Sequence, residues 1–143
     1  MPMTTLFHLA FPVHDFEAAK AFYHQQLGFN IGRESEHALI LEFGGHQIVA
    51  HKIDTPLPLQ TSIYPRHFGL IFLEKEAFDA FIQRIEAQNI PFEIPLKVRF
   101  AQSTIEHQSF FLKDPSNNLL EFKYYTHPSA IFGERDFKEV GER

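Results

Sequence analysis

The chain has 143 residues, a length typical of one domain, and its 17 phenylalanines without a tryptophan indicate a strongly aromatic core. It contains no cysteine, which excludes disulfide bonds, thiolate metal sites and cysteine nucleophiles. The net charge of −5 argues against a nucleic-acid partner, and no apolar run approaches the roughly 18 residues of a membrane span. Because the N-terminus also lacks the pattern of a signal peptide, we expect a cytoplasmic protein.

The first half of the chain has the pattern of four strands and one helix. The predicted strands cover residues 5–13, 29–35, 37–43 and 46–53. Asp15 can cap a helix that runs to Leu27, and Gly28 follows as its C-terminal stop. Gly44-Gly45 supplies the turn of a hairpin between the last two strands.

The second half repeats this order after a proline-rich linker, DTPLPLQTSIYPR. Its predicted elements are a strand over 67–73, a helix over about 75–88 and strands at 91–98, 107–113 and 117–125. A shift of 59 residues (67 − 8) superposes His8 on His67, so the order βαβββ occurs twice. We therefore predict one domain over residues 1–143, made of module one (about 5–53), a linker (54–66), module two (about 67–125) and a C-terminal tail (126–143).

Three side chains of the kinds that bind metals are expected on one face of the predicted strands. Side chains alternate across a strand, and the large apolar residues of each strand should pack against the helices. This alternation places His8 and His67 on the opposite face, and it places Glu121, between Leu120 and Phe122, on that face as well. The sequence thus offers two imidazoles and one carboxylate on the side that the helices leave uncovered.

Three segments carry a resemblance to a known family: FHLAFPVHDFEAAKAFYHQQLGF, RHFGLIF and FLKDPSNNLLEFKYY. With the duplicated βαβββ order, they resemble the vicinal oxygen chelate superfamily, which includes glyoxalase I, extradiol dioxygenases and bleomycin-resistance proteins. DPSNNLLEF is similar to the D-P-x-G-x-x-x-E-F signature, with asparagine in place of glycine. The resemblance implies an α+β fold in which two paired βαβββ modules form a curved mixed-sheet trough with helices on the outer face.

The resemblance also implies a divalent metal in the trough, held at the positions of His8, His67 and Glu121. Two imidazoles and one carboxylate form the facial triad of non-haem iron(II) enzymes, so Fe²⁺ is favoured, while Mn²⁺, Ni²⁺, Co²⁺ or Zn²⁺ also suit these ligands. His51, on the fourth strand, is a candidate acid/base or substrate contact, and a surface role fits it equally well. Arg99 and Lys123 are candidates for binding an anionic substrate group.

These residues favour a metal-dependent, dioxygenase-like oxidoreductase acting on a small oxygen-bearing, catechol-like substrate. A lyase or isomerase of the glyoxalase I type is an alternative, but such enzymes carry a fourth ligand, a glutamate, where this chain has QIVAH and Glu42 lies one strand earlier. A non-enzymatic, bleomycin-type resistance binder is a further alternative. A homodimer is expected, and the trough can form within one chain or between two.

Overall fold

A computed structural model describes residues 3–141 and contains two βαβββ modules in succession. Its strands are β1 (His8–Val13), β2 (Asn30–Glu34), β3 (Ala38–Phe43), β4 (His46–Lys52), β5 (Phe68–Phe72), β6 (Ile94–Arg99), β7 (His107–Lys113) and β8 (Leu119–Tyr125). Its helices are α1 (Phe16–Lys20), α2 (Lys75–Ala87) and α3 (Ser129–Phe132), and α1 continues as a π-helical segment, Ala21–Gln26. The predicted α+β class and the duplicated order are confirmed. No helix in residues 3–141 is long and apolar enough to cross a membrane.

The first sheet has the strand order β1-β4-β3-β2, with β1 parallel to β4 and the other pairs antiparallel. In β1 and β3 the buried residues alternate as the sequence predicts, because each strand turns one face to the helix, whereas in β4 the consecutive residues Ile48, Val49 and Ala50 are all buried. Phe11, Val13, Leu39 and Leu41 are at most 5% exposed, and Tyr23 of the π-helical segment is fully buried with them.

The second sheet repeats the order, β5-β8-β7-β6, with β5 parallel to β8. Helix α2 places Phe78 and Ile85 on one face by their seven-residue spacing, and both are completely buried. The ring of Phe110 lies 5.7 Å from that of Phe78 and 5.5 Å from that of Phe122. Each such buried side chain contributes roughly 1.5–3 kcal/mol to folding, so the aromatic core expected from composition holds this sheet to its helix.

Several strand boundaries differ from the sequence expectation, and the starts of β1 and β5 change the placement of a named residue. β1 begins at His8 and β5 at Phe68, so Phe7 and His67 each precede a strand rather than lying inside one. Phe7 is 60% exposed, and its predicted place against the helix is wrong. The Phe7 N–H donates to Nδ1 of His46 at 3.0 Å, and the Phe7 ring meets the His46 imidazole edge-on, so Phe7 contacts β4 rather than the helix.

The described chain forms two compact units, and the turn between β7 and β8 belongs to the first of them. The first unit comprises the residues up to Arg66 together with Lys113–Asn118, and the second comprises His67–Leu112 and the residues from Leu119 onwards. In this turn Asn117 has a φ of 70°, a left-handed conformation that glycine and asparagine tolerate best. Asn117 stands where the family signature has glycine, so the substitution keeps the required backbone geometry.

Asp114 organises the same turn from a buried position. Its Oδ1 accepts the backbone N–H groups of Ser116 at 2.9 Å and Asn118 at 2.8 Å. Its Oδ2 accepts the Asn118 amide at 2.9 Å and the Tyr23 hydroxyl at 2.8 Å. A residue 91 positions away in the sequence therefore completes the polar core of the first unit.

Candidate functional site

His67 and Glu121 meet in the second unit. The Nε2–H of His67 donates to Oε1 of Glu121 at 3.2 Å, and the two side chains are 21% and 12% exposed. Two neighbouring ligands of a first-row metal, each bonded at about 2.1 Å and set at right angles, lie roughly 3 Å apart. The spacing of this nitrogen and this oxygen therefore fits two adjacent positions around one ion.

The Glu121 carboxylate is kept ionised by its surroundings. Burial alone raises the pKa of Glu121, but the hydrogen bonds from His67 and Ser109 and the charge of Lys123 outweigh it and hold that pKa below its usual range. Ser109 is fully buried, and its oxygen also accepts from Nε of Arg99 at 2.7 Å. A line of hydrogen bonds thus runs from Arg99 through Ser109 to the proposed ligand.

Ser109 was not identified from the sequence, although a signal for it exists. In HQSFFLK, Phe110 and Leu112 are completely buried, and alternation places His107 and Ser109 on the other face of β7. Arg99 lies opposite His107 in the β6–β7 register. Strand alternation applied to β7 would therefore have placed His107 and Ser109 on the face that carries Glu121.

Gly69 allows β5 and β8 to approach closely at the site. It pairs with Glu121 in the parallel ladder, and a Cβ added at this position would lie 1.6 Å from the Glu121 carbonyl oxygen. Any larger residue would force the backbone of β8 to move. The glycine is therefore required for the strand position that brings the Glu121 carboxylate to His67.

His8 lies in the first unit, where Gln47 fixes its imidazole. Nδ1 of His8 is 2.8 Å from the Gln47 side-chain oxygen, and the β1–β4 register sets these two residues opposite each other. Because a carboxamide oxygen only accepts, Nδ1 carries the hydrogen, and in the neutral ring Nε2 holds the lone pair that a metal needs. His8 is exposed.

The first module has no carboxylate at the position equivalent to Glu121. The shift of 59 residues (67 − 8) places Ala10 on Gly69; Ala10 pairs with Val49, whereas Gly69 pairs with Glu121. Val49 therefore occupies the position of the fourth ligand in glyoxalase I-type enzymes. The Glu42 carboxylate, the nearby alternative, accepts the Asn30 amide at 2.7 Å.

His51 lies at the end of β4, exposed and opposite Pro12 and Ala38 in the two ladders. It shares a face with Gln47, but the spacing of four positions (51 − 47) corresponds to about 13 Å along a strand. His51 and His8 are thus not brought into contact. The acid/base role of His51 stays a prediction.

The structure brings together two of the three predicted ligands. His67 and Glu121 are in contact in the second unit, whereas His8 belongs to the first. Within residues 3–141, no group of three or more His, Cys, Asp or Glu side chains is gathered closely enough to hold a metal ion. The donor chemistry of the three fits such an ion, with two imidazole nitrogens and one ionised carboxylate.

The family model for the Glyoxalase/Bleomycin resistance protein/Dioxygenase superfamily matches residues 5–122. The chain therefore belongs to this superfamily. A solved structure of a glyoxalase/bleomycin resistance protein/dioxygenase from Alicyclobacillus acidocaldarius is 41% identical, with a TM-score of 0.85 over 90% of this chain and 97% of that one. Its likeness in sequence and in fold supports the same assignment.

More distant solved structures share the fold alone. A lactoylglutathione lyase from Agrobacterium tumefaciens is 20% identical, with a TM-score of 0.64 over 93% of this chain and 99% of that one. The fosfomycin resistance protein FosX from Listeria monocytogenes is 19% identical, with a TM-score of 0.65 over 90% of this chain and 99% of that one. A comparison with curated protein sequences gives no match.

Proposed function

We propose that this protein is a metal-dependent enzyme, a dioxygenase-like oxidoreductase that acts on a small substrate with neighbouring oxygen atoms, such as a catechol. The observation that carries the proposal is the contact between the His67 imidazole and the ionised Glu121 carboxylate at 3.2 Å. A carboxylate held ionised at low exposure is poised to bind a cation. The pair also has buried support that an exposed ion pair lacks, because Ser109 accepts a hydrogen bond from Arg99 and forms one with Glu121.

His8, His67 and Glu121 are the proposed ligands, and Fe²⁺ is the favoured ion, with Mn²⁺, Ni²⁺, Co²⁺ or Zn²⁺ suited to the same donors. When bound, such an ion supplies Lewis-acid polarisation of substrate oxygens and, as iron(II), electrons for dioxygen. The chain's own residues hold the donors: Gln47 sets the hydrogen on His8, and Ser109 orients Glu121. His51 is the proposed proton carrier or contact to the far part of the substrate.

Two other functions were open from the sequence. Val49 at the fourth-ligand position counts against a glyoxalase I-type lyase or isomerase, because that chemistry needs a strong base from the first module. A non-enzymatic binder is the second candidate, favoured by a cavity of ≈ 270 Å³ that is lined by aromatic and apolar side chains together with Lys123 and other charged residues. Metal content separates the enzyme from the binder.

The first experiment measures metal in protein purified without chelators, by plasma mass spectrometry. The wild-type chain is expected to hold one ion, and replacing His8, His67 or Glu121 by alanine is expected to abolish stoichiometric metal, because two donors no longer chelate it. His37→Ala is the control, since its side chain is 83% exposed and lies outside the proposed site. Full metal occupancy in Glu121→Ala would contradict the assignment of Glu121 as a metal ligand.

The reaction is tested separately on protein loaded with iron(II) under anaerobic conditions. Addition of catechol and oxygen is expected to consume both in equal amounts, measured with an oxygen electrode and by product mass. Metal-loaded protein that consumes no oxygen with any of a panel of catechols would contradict the oxygenase and leave a metal enzyme of another class.

A further inference from the structure

A cavity of ≈ 270 Å³, here called the tail cavity, lies in the second unit between the sheet and the C-terminal tail. The sheet side is formed by Phe100, Ile105, His107, Lys123 and Tyr125, and the other side by tail residues between Ala130 and Gly141. Its volume is near the small end of ligand pockets, which run from about 300 to 1,000 Å³. The tail cavity therefore suits a molecule with a single ring.

The sheet side of the tail cavity is aromatic. The His107 ring lies 4.7 Å from the Tyr125 ring at an interplanar angle of 33°, and 6.1 Å from the Phe100 ring. The Nδ1–H of His107 donates to the Ile105 carbonyl at 3.0 Å, which fixes the orientation of the imidazole. Rings held in this way offer a rigid surface against which a flat ligand packs.

Charge is distributed unequally over the two sides. On the sheet side Lys123 is the cation, with Nζ 5.0 Å from the centroid of the Tyr125 ring, and the described lining residues of that side include no carboxylate. On the tail side Glu134 and Glu139 are offset by Arg135 alone, so that side carries a small excess of negative charge. An anionic group of a ligand is therefore directed to Lys123 and away from the tail.

The tail closes this cavity over the sheet of its own unit. Ile131 is half-buried there, although Phe132, beside it, is 95% exposed. The lining residues from Ala130 onwards lie beyond residues 5–122, the segment that the superfamily shares. The tail side of the cavity is therefore formed by residues outside the segment that the family model matches.

We propose that the tail cavity binds a monocyclic aromatic molecule with one anionic oxygen group, a carboxylate or a phenolate, which pairs with Lys123, and that the tail limits the size of the ring. Lys123 lies two residues beyond Glu121 on the same face of β8, about 7 Å along the strand. The tail cavity thus adjoins the His67–Glu121 pair. Identifying this ligand as the enzyme's substrate rests on the proposed function. Binding of the ligand in the tail cavity requires no metal.

The test uses the full chain after removal of metal by dialysis against EDTA. Isothermal titration calorimetry is performed with 4-nitrobenzoate as the anionic probe and nitrobenzene as a neutral probe of similar size. Lys123→Met is expected to weaken 4-nitrobenzoate binding roughly tenfold to hundredfold, as for loss of a bond to a charged group, without changing nitrobenzene binding. Lys113→Met is the matched control, since Lys113 is also half-buried but does not line the cavity.

A second variant tests the place of binding. Ile131→Trp fills the cavity from the tail side, so both probes are expected to bind less tightly, while circular dichroism reports an unchanged fold. Unaltered binding of both probes to Ile131→Trp would overturn the tail cavity as the binding site. Equal loss of 4-nitrobenzoate binding in Lys113→Met and Lys123→Met would overturn the contact between Lys123 and the anionic group. Probe binding with the expected dependence in a protein that takes up no metal would leave the tail cavity standing and reject the proposed reaction.

Discussion

The Glu121 carboxylate shows how neighbouring residues set the charge of one poorly exposed side chain. A buried carboxylate is normally driven towards its neutral form, yet here His67, Ser109 and Lys123 reverse the balance and hold its pKa low. Ser109 connects this carboxylate to the buried Arg99 guanidinium. The hydroxyl therefore satisfies two charged groups at once, and its removal should affect both.

We predict that Ser109→Ala weakens metal binding roughly tenfold to hundredfold, the range for loss of a group that orients a ligand. It should also destabilise the fold by about 1–3 kcal/mol, because Arg99 loses a buried acceptor. Metal affinity is measured by competition with a chromogenic chelator, and stability by urea unfolding. Ser129→Ala, at an exposed position, is the control. Equal metal affinity in both variants would show that Ser109 does not orient Glu121.

His51 is tested at the same scale. If it carries protons, His51→Gln should keep the metal and lower turnover by roughly 10²–10⁴-fold. Metal content and steady-state rate are measured on the same preparation. Loss of metal would make His51 a ligand, and an unchanged rate would make it a bystander, in keeping with its exposed place far along β4 from Gln47.

The candidate site was partly predictable from residues alone. Alternation within strands identified His67 and Glu121 as sharing a face, and the structure joins them. It could not identify Ser109 with the same strength, because a serine in a strand has no chemistry that sets it apart until its partners are known. The role of Gln47 was hidden for a similar reason, since it depends on the register between two strands that the sequence does not specify.

At the scale of elements, the turn between β7 and β8 depends on Asp114. Burial raises the pKa of Asp114, while its four hydrogen bonds lower it in part. The pKa of Tyr23 is raised well above its usual value by burial and by the charge of Asp114. Because the folded pKa of Asp114 is raised, its contribution to stability is present below about pH 3.8 and is lost as the pH rises through the folded value.

Tyr23→Phe tests this turn. Removing the hydroxyl should cost about 1.5–3 kcal/mol of unfolding free energy at neutral pH, because the bond goes to a charged group. The pKa of Asp114 should rise further without this donor, so the difference from wild type should grow as the pH is raised from about 4 to 7 and Asp114 ionises. Urea unfolding across that range measures it, with Tyr124→Phe as the control. A difference that shrinks with rising pH would contradict the charged bond.

Element boundaries show where periodicity stops being informative. The hydrophobic alternation of the first strand extends back to Phe7, but Phe7 precedes β1, and its ring lies exposed against the His46 imidazole. The sixth strand was predicted from residue 91 and begins at Ile94. The residue at which a strand begins depends on contacts between residues distant in the sequence rather than on the hydrophobic pattern.

For the whole molecule, the duplication predicted the architecture because each half repeats the same order of elements. What it left open is whether the three proposed ligands come from one chain or from two. Several apolar side chains stay exposed on the second unit in the single chain, among them Ile71 at 40% and Val98 at 48%. Ile71 shares the helix-free face with His67, so covering that face favours association.

We therefore predict a homodimer at micromolar concentration, measured by sedimentation velocity. Mixing His8→Ala protein with Glu121→Ala protein after partial unfolding distinguishes the two arrangements. If the ligands of one site come from different chains, each mixed dimer regains one intact site and binds metal again; if they come from one chain, no metal is recovered. A monomer with full metal content would rule out the dimer.

The assignment of residues 113–118 to the first unit has a consequence for how the chain folds during synthesis. Tyr23 lies near the N-terminus, yet the carboxylate that its buried hydroxyl requires is added 91 residues later. A nascent chain ending at Arg66 holds every strand of the first sheet and still leaves that hydroxyl without its acceptor. Because synthesis adds only about 5–20 residues per second, the first module should remain loosely packed on the ribosome until the β7–β8 turn has left the exit tunnel.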